Sequence, residues 1–65
     1  MVRIDTRGMR CPWPAIRLGR ALREGAGGIE ILADDPAAPR ELAAVAAAAG
    51  RALRDEGEGR FTVVG

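Results

Sequence analysis

Residues 25–36 read Gly25-Ala26-Gly27-Gly28-Ile29-Glu30-Ile31-Leu32-Ala33-Asp34-Asp35-Pro36. The glycines at 25, 27 and 28 stop a preceding helix and turn the chain. Ile29, Ile31 and Ala33 then alternate with Glu30 and Leu32, the period of two that marks a strand. Asp34 and Asp35 before Pro36 predict a helix start: an acidic N-cap followed by a proline whose missing N–H is no loss in a first turn. One segment therefore holds a helix stop, a strand and a helix start, which is the punctuation of an alternating α/β chain.

Working outward toward the N-terminus, Val2 and Ile4 alternate with Arg3 and Asp5 and predict a short first strand. Thr6 to Arg10 reads as a loop around Gly8, a residue that tolerates positive φ. From Pro12 onward Ala15, Leu18 and Leu22 recur at i, i+3 and i+7 beside Gly19, while Arg17, Arg20 and Glu24 form another stripe. That spacing predicts an amphipathic helix ending near Glu24. Toward the C-terminus, Leu42, Val45 and Ala49 supply the inward stripe of a second, alanine-rich helix that Gly50 can close. Arg51 to Glu56 and Arg60 to Val64 read as strands joined at Gly57-Glu58-Gly59, with Phe61 and Val63 on one face. The expected order is βαβαββ, a two-layer α/β sandwich with both helices on one face of a four-stranded mixed sheet. Arg3, Asp5, Glu30 and Leu32 fall on the other face, to be solvated or to form an interface.

Sixty-five residues make residues 1–65 one small domain. His, Lys, Ser, Tyr, Asn and Gln are all absent, so Cys11, Thr6 and Thr62 are the only side chains with a neutral S–H or O–H to serve as a nucleophile. This removes the Ser-His-Asp triad, the Schiff-base lysine and His-ligated zinc. Ten basic against nine acidic residues give a net charge of +1, which argues against charge-driven contact with nucleic acid. The longest uncharged run, Leu42 to Gly50, is too short to span a bilayer. The arginine-bearing first ten residues do not read as a secretory signal. A single cysteine cannot form an internal disulfide, and a free thiol fits a reducing cytoplasm.

Cys11 sits between the Gly8 loop and the first helix, in Arg7-Gly8-Met9-Arg10-Cys11-Pro12-Trp13-Pro14. The sulfur is expected to mark the helix N-cap, with Pro12 and Pro14 in the first turn. The positive end of the helix dipole, together with Arg7 and Arg10, is expected to lower the thiol pKa toward neutrality. Trp13 either shields the sulfur, meets a partner or packs half-buried. Arg17 and Arg20 form either a docking stripe for an acidic partner or a solvated face. The Asp34-Asp35 pair is better explained by capping than by metal, and one thiolate without imidazole is a poor zinc site, so no metal and no cofactor is expected.

The run Asp5-x-Arg7-Gly8-x-x-Cys11-Pro12-x-Pro14 resembles the signature of the TusA sulfur-carrier proteins, also called SirA-like. The similarity continues through Asp34-Asp35-Pro36 and Arg40, with Trp13 in the variable slot of the motif. This resemblance implies a cytoplasmic protein that carries sulfane sulfur as a persulfide on Cys11. The donor would be a cysteine desulfurase or rhodanese, and the acceptor a protein of tRNA thiolation, molybdenum-cofactor synthesis or sulfur oxidation. No base within the chain is required, and specificity comes from docking; contact with a membrane transporter is left open. Two readings from the residues alone stand beside it: a regulatory interaction module in which Cys11 is incidental, and a thiol redox protein working through mixed disulfides.

Overall fold

A computed structural model describes residues 1–64, in the order β1 (Val2–Asp5), α1 (Trp13–Arg23), β2 (Ile29–Leu32), α2 (Ala38–Ala48), β3 (Ala52–Gly57) and β4 (Arg60–Val64). The four strands form one sheet in the order β1-β2-β4-β3. β1 runs parallel to β2, with Ile4 opposite Ile31, and β4 runs antiparallel to both β2 and β3. This is the expected βαβαββ sandwich.

The core follows from the two periodicities. Ile29 and Ile31 of β2 lie opposite Val63 and Phe61 of β4, so the central strands present one apolar face. Leu18 and Ala21 of α1 and Ala38 and Leu42 of α2 close over it. The buried stripe of α1 is Pro14, Leu18 and Ala21, one residue round from the expected Ala15, Leu18 and Leu22, with Leu22 packing at its margin. In α2, Ala46 takes the place expected for Ala49. The helix ends at Ala48, and Ala49 is an exposed cap.

The start of α2 is also displaced. Pro36 lies in a turn, Ala37 is the N-cap, and Pro39 rather than Pro36 occupies the first helical turn. Asp35 explains the shift: its carboxylate accepts the Ala37 N–H at 3.0 Å and its carbonyl accepts the Ala38 N–H at 3.0 Å, closing a turn before the helix begins. At the other end, Gly50 N–H donates to the Ala47 carbonyl and Arg51 N–H to that of Ala46, a Schellman closure. The Arg51 guanidinium then donates to the carbonyls of Ala26 and Gly27, tying the end of α2 to the α1–β2 loop.

The outer sheet face is polar. Glu30 pairs with Arg3 at 3.2 Å and Arg60 at 3.1 Å, and Glu56 accepts the Thr62 hydroxyl at 2.6 Å. No described helix is long and apolar enough to cross a membrane.

Candidate functional site

Because β1 and β2 are parallel, α1 and α2 both begin at the same end of the sheet, beyond the strand C-termini. The loop leaving β1 is anchored there by Thr6, which is fully buried. Its hydroxyl donates to the Leu32 carbonyl at 2.6 Å and its N–H to the same oxygen at 2.7 Å. Gly8 adopts φ 85°, the left-handed conformation its place in the loop anticipated, and its N–H donates to the Asp34 carboxylate at 2.9 Å. The loop carrying the cysteine is thereby tied to the loop entering α2.

Cys11 is exposed, and its peptide bond to Pro12 is cis. The N-cap of α1 is Pro12 rather than Cys11, because the Pro12 carbonyl accepts the first i to i+4 bond, from Ile16 N–H at 3.0 Å. Pro14 sits in the first turn with its ring buried.

The electrostatics of the sulfur reverse the expectation. Cys11 Sγ donates to Glu41 Oε1 at 2.9 Å, from the first turn of α2. That hydrogen bond, then removal from water, then the negative charges of Glu41 and Asp35 push the thiol pKa up, with Arg40 opposing them. A carboxylate that accepts the S–H proton favours the neutral form. Arg7 is engaged elsewhere. Its guanidinium makes bonds of 3.0 and 2.8 Å to Asp5, holding that carboxyl at about 2 against an ordinary 3.8. Arg10 borders a shallow recess with Gly8, Met9, Asp34, Asp35 and Pro36.

Trp13 is 56% exposed, and Ile16 beside it 47%. Trp13, Arg17 and Arg20 are spaced i, i+4 and i+7, which sets them along one face of α1. Arg20 also pairs with Glu24 at 3.3 Å. The other hydroxyl, that of Thr62, is bonded to Glu56. Thr6 is buried and Thr62 half-buried, so Cys11 is the one exposed residue of these three candidates. Glu41 is the site residue that the sequence reading missed. It lies 30 positions from Cys11, and the available signal was topological: the second helix of a βαβα unit starts beside the first, so its first-turn acid faces the same end.

A family model described as Sulfurtransferase TusA matches residues 2–65. The chain belongs to this family. The crystal structure of a SirA-like protein from Desulfitobacterium hafniense matches with a TM-score of 0.77 and 29% sequence identity, over 97% of this chain and 92% of that one. No curated protein sequence matches. Membership of the TusA family brings the coarse role with it: sulfur carriage, with sulfur relayed between partner proteins.

Proposed function

We propose that the chain acts as a single carrier domain that takes up sulfane sulfur as a persulfide on Cys11 and hands it to an acceptor protein. The supporting observation is the exposed Cys11 thiol at the start of α1, in a TusA-family chain whose two hydroxyl residues are less accessible, Thr6 buried and Thr62 half-buried. In loading, Cys11 Sγ attacks the outer sulfur of a donor persulfide. The new S–S bond forms, the donor's S–S bond breaks, and the donor sulfur leaves as a thiolate that takes up the proton lost by Cys11. In unloading, an acceptor thiolate attacks the same outer sulfur, and Cys11 leaves as a thiolate and is reprotonated. Both steps are exchanges at sulfur and consume no external oxidant or reductant.

In this reading Gly8 permits the loop, and Pro12 and Pro14 hold the sulfur outward. Arg10 adds positive charge near the persulfide anion, while Arg7, clamped on Asp5, positions the loop. Trp13, Arg17 and Arg20 form the docking stripe, suited to a partner surface with an apolar centre and acidic rim. The donor is a cysteine desulfurase or rhodanese, the acceptor a sulfur-accepting protein, and the setting the cytoplasm.

Intact mass after incubation with a desulfurase and cysteine, without reductant, tests the proposal. The wild type is expected to gain one sulfur and Cys11→Ala none. No gain with competent desulfurase and rhodanese donors overturns it.

A further inference from the structure

We propose that Glu41 is a positioning residue of the carrier, holding the unloaded Cys11 sulfur as a neutral thiol against the first turn of α2, so that loading requires this hydrogen bond to open. The geometry is specific. Among the described residues, the 2.9 Å bond to Glu41 Oε1 is the one hydrogen bond the sulfur makes, and it joins two elements 30 residues apart. A thiolate has no proton to donate, so ionisation would break the bond and set two negative charges side by side. The other charged groups acting on the sulfur are Asp35 from the loop entering α2 and Arg40 beside Glu41; Arg10 is its neighbour in the chain. Asp35 reinforces Glu41 and Arg40 partly offsets it.

The inference deepens the carrier reading and rests on it only for its biological sense. Thiolate is the attacking species in sulfur exchange, so a resting carrier held as a thiol reacts slowly with adventitious electrophiles. A donor that presents a cationic group to Glu41 frees the sulfur where transfer is to occur, and Glu41 is only half-buried. Once Sγ carries a second sulfur it has no proton to give, so the loaded form loses this tie to α2.

Alkylation by iodoacetamide across a pH series tests the proposal without any donor. Sγ displaces iodide, forming an S–C bond, and the thiol proton goes to buffer. Glu41→Gln is expected to react about threefold faster or more at neutral pH, the size of effect an exposed charged contact supports, with its whole profile displaced to lower pH. Asp35→Asn, which removes a nearby charge but no bond to the sulfur, is expected to change the rate less. A folded Glu41→Gln protein whose profile coincides with the wild type, or is slower, overturns the proposal.

Should circular dichroism show that Glu41→Gln does not fold, the wild type is compared with a synthetic peptide of residues 7–14, which has the same local sequence and no Glu41. A wild-type rate at neutral pH below that of the peptide supports the proposal, and an equal or higher rate overturns it. Sulfur loading is measured in parallel. A wild type that alkylates as expected yet never gains sulfur removes the carrier reading and leaves the thiol–carboxylate contact intact.

Discussion

Thr6 gives both its hydroxyl and its N–H to the Leu32 carbonyl and has no solvent exposure. Thr6→Val keeps the shape and removes one of those two donors, so a loss of about 1 kcal/mol is expected in urea unfolding. Asp5 makes a second prediction, in acid. Its folded pKa of about 2 lies below the ordinary 3.8 because of Arg7, so on acidification the unfolded chain binds the proton first. The contribution of the pair is therefore present above 3.8 and fades as pH falls toward 2. The difference in urea midpoint between wild type and Asp5→Asn is expected to narrow over that interval; a constant gap would show that the pair does not control it. Composition narrowed the candidate nucleophiles to Cys11, Thr6 and Thr62, and the place of Cys11 between the Gly8 loop and the first helix singled it out; its exposure agrees with that reading. Its protonation could not be read that way. Arg7 and Arg10 are near in the chain, but the carboxylate that touches the sulfur comes from a remote helix, and pairwise proximity of that kind is decided by packing.

Among the elements, the β3–β4 turn carries the sharpest constraint. Gly57, Glu58 and Gly59 all have positive φ, and a Cβ at Gly59 would lie 2.6 Å from the Ala33 carbonyl oxygen. Ala33 in turn donates its N–H to the Gly59 carbonyl at 2.9 Å, so the two backbones are already in contact. Gly59→Ala is expected to cost about 2 kcal/mol or more from left-handed strain and the collision together, whereas Gly8→Ala, with open space around it, is expected to cost only the strain, about 1 kcal/mol. Thermal melts of the two variants check the ranking. Element boundaries were legible where the punctuation is local: β4 matched its expected bounds, and β3 runs one residue later than expected at both ends. They were less legible where a side chain remakes the turn, as Asp35 does before α2. The rotation of the α1 stripe toward Pro14 and Ala21 reflects how the two helices settle against each other, which helical spacing alone leaves open within one residue.

For the whole molecule, the core is shallow because α2 contributes mainly alanine. Leu42 is its one large, fully buried side chain. Leu42→Ala is expected to remove roughly 2–5 kcal/mol, comparable to the roughly 3–5 kcal/mol that a core of this size supplies. Circular dichroism at 25 °C without denaturant should therefore show a substantially unfolded population, and a cooperative, near-wild-type melt would refute this account of the core. The placement of both helices on one face was foreseeable from the alternation of elements, since parallel β1 and β2 require a crossover; the position of β4 between β2 and β3 was not read from the sequence. The chain exposes 4021 Å² in all, and a protein partner of ordinary size covers about 800 Å² of it. The outer face is knitted by ion pairs, and the exposed Cys11 lies beyond the strand C-termini, at the end where both helices begin. On the carrier reading, any protein engaged there shades that end from every other, so supplier and recipient must take turns, and a surplus of empty recipient should inhibit charging by competition.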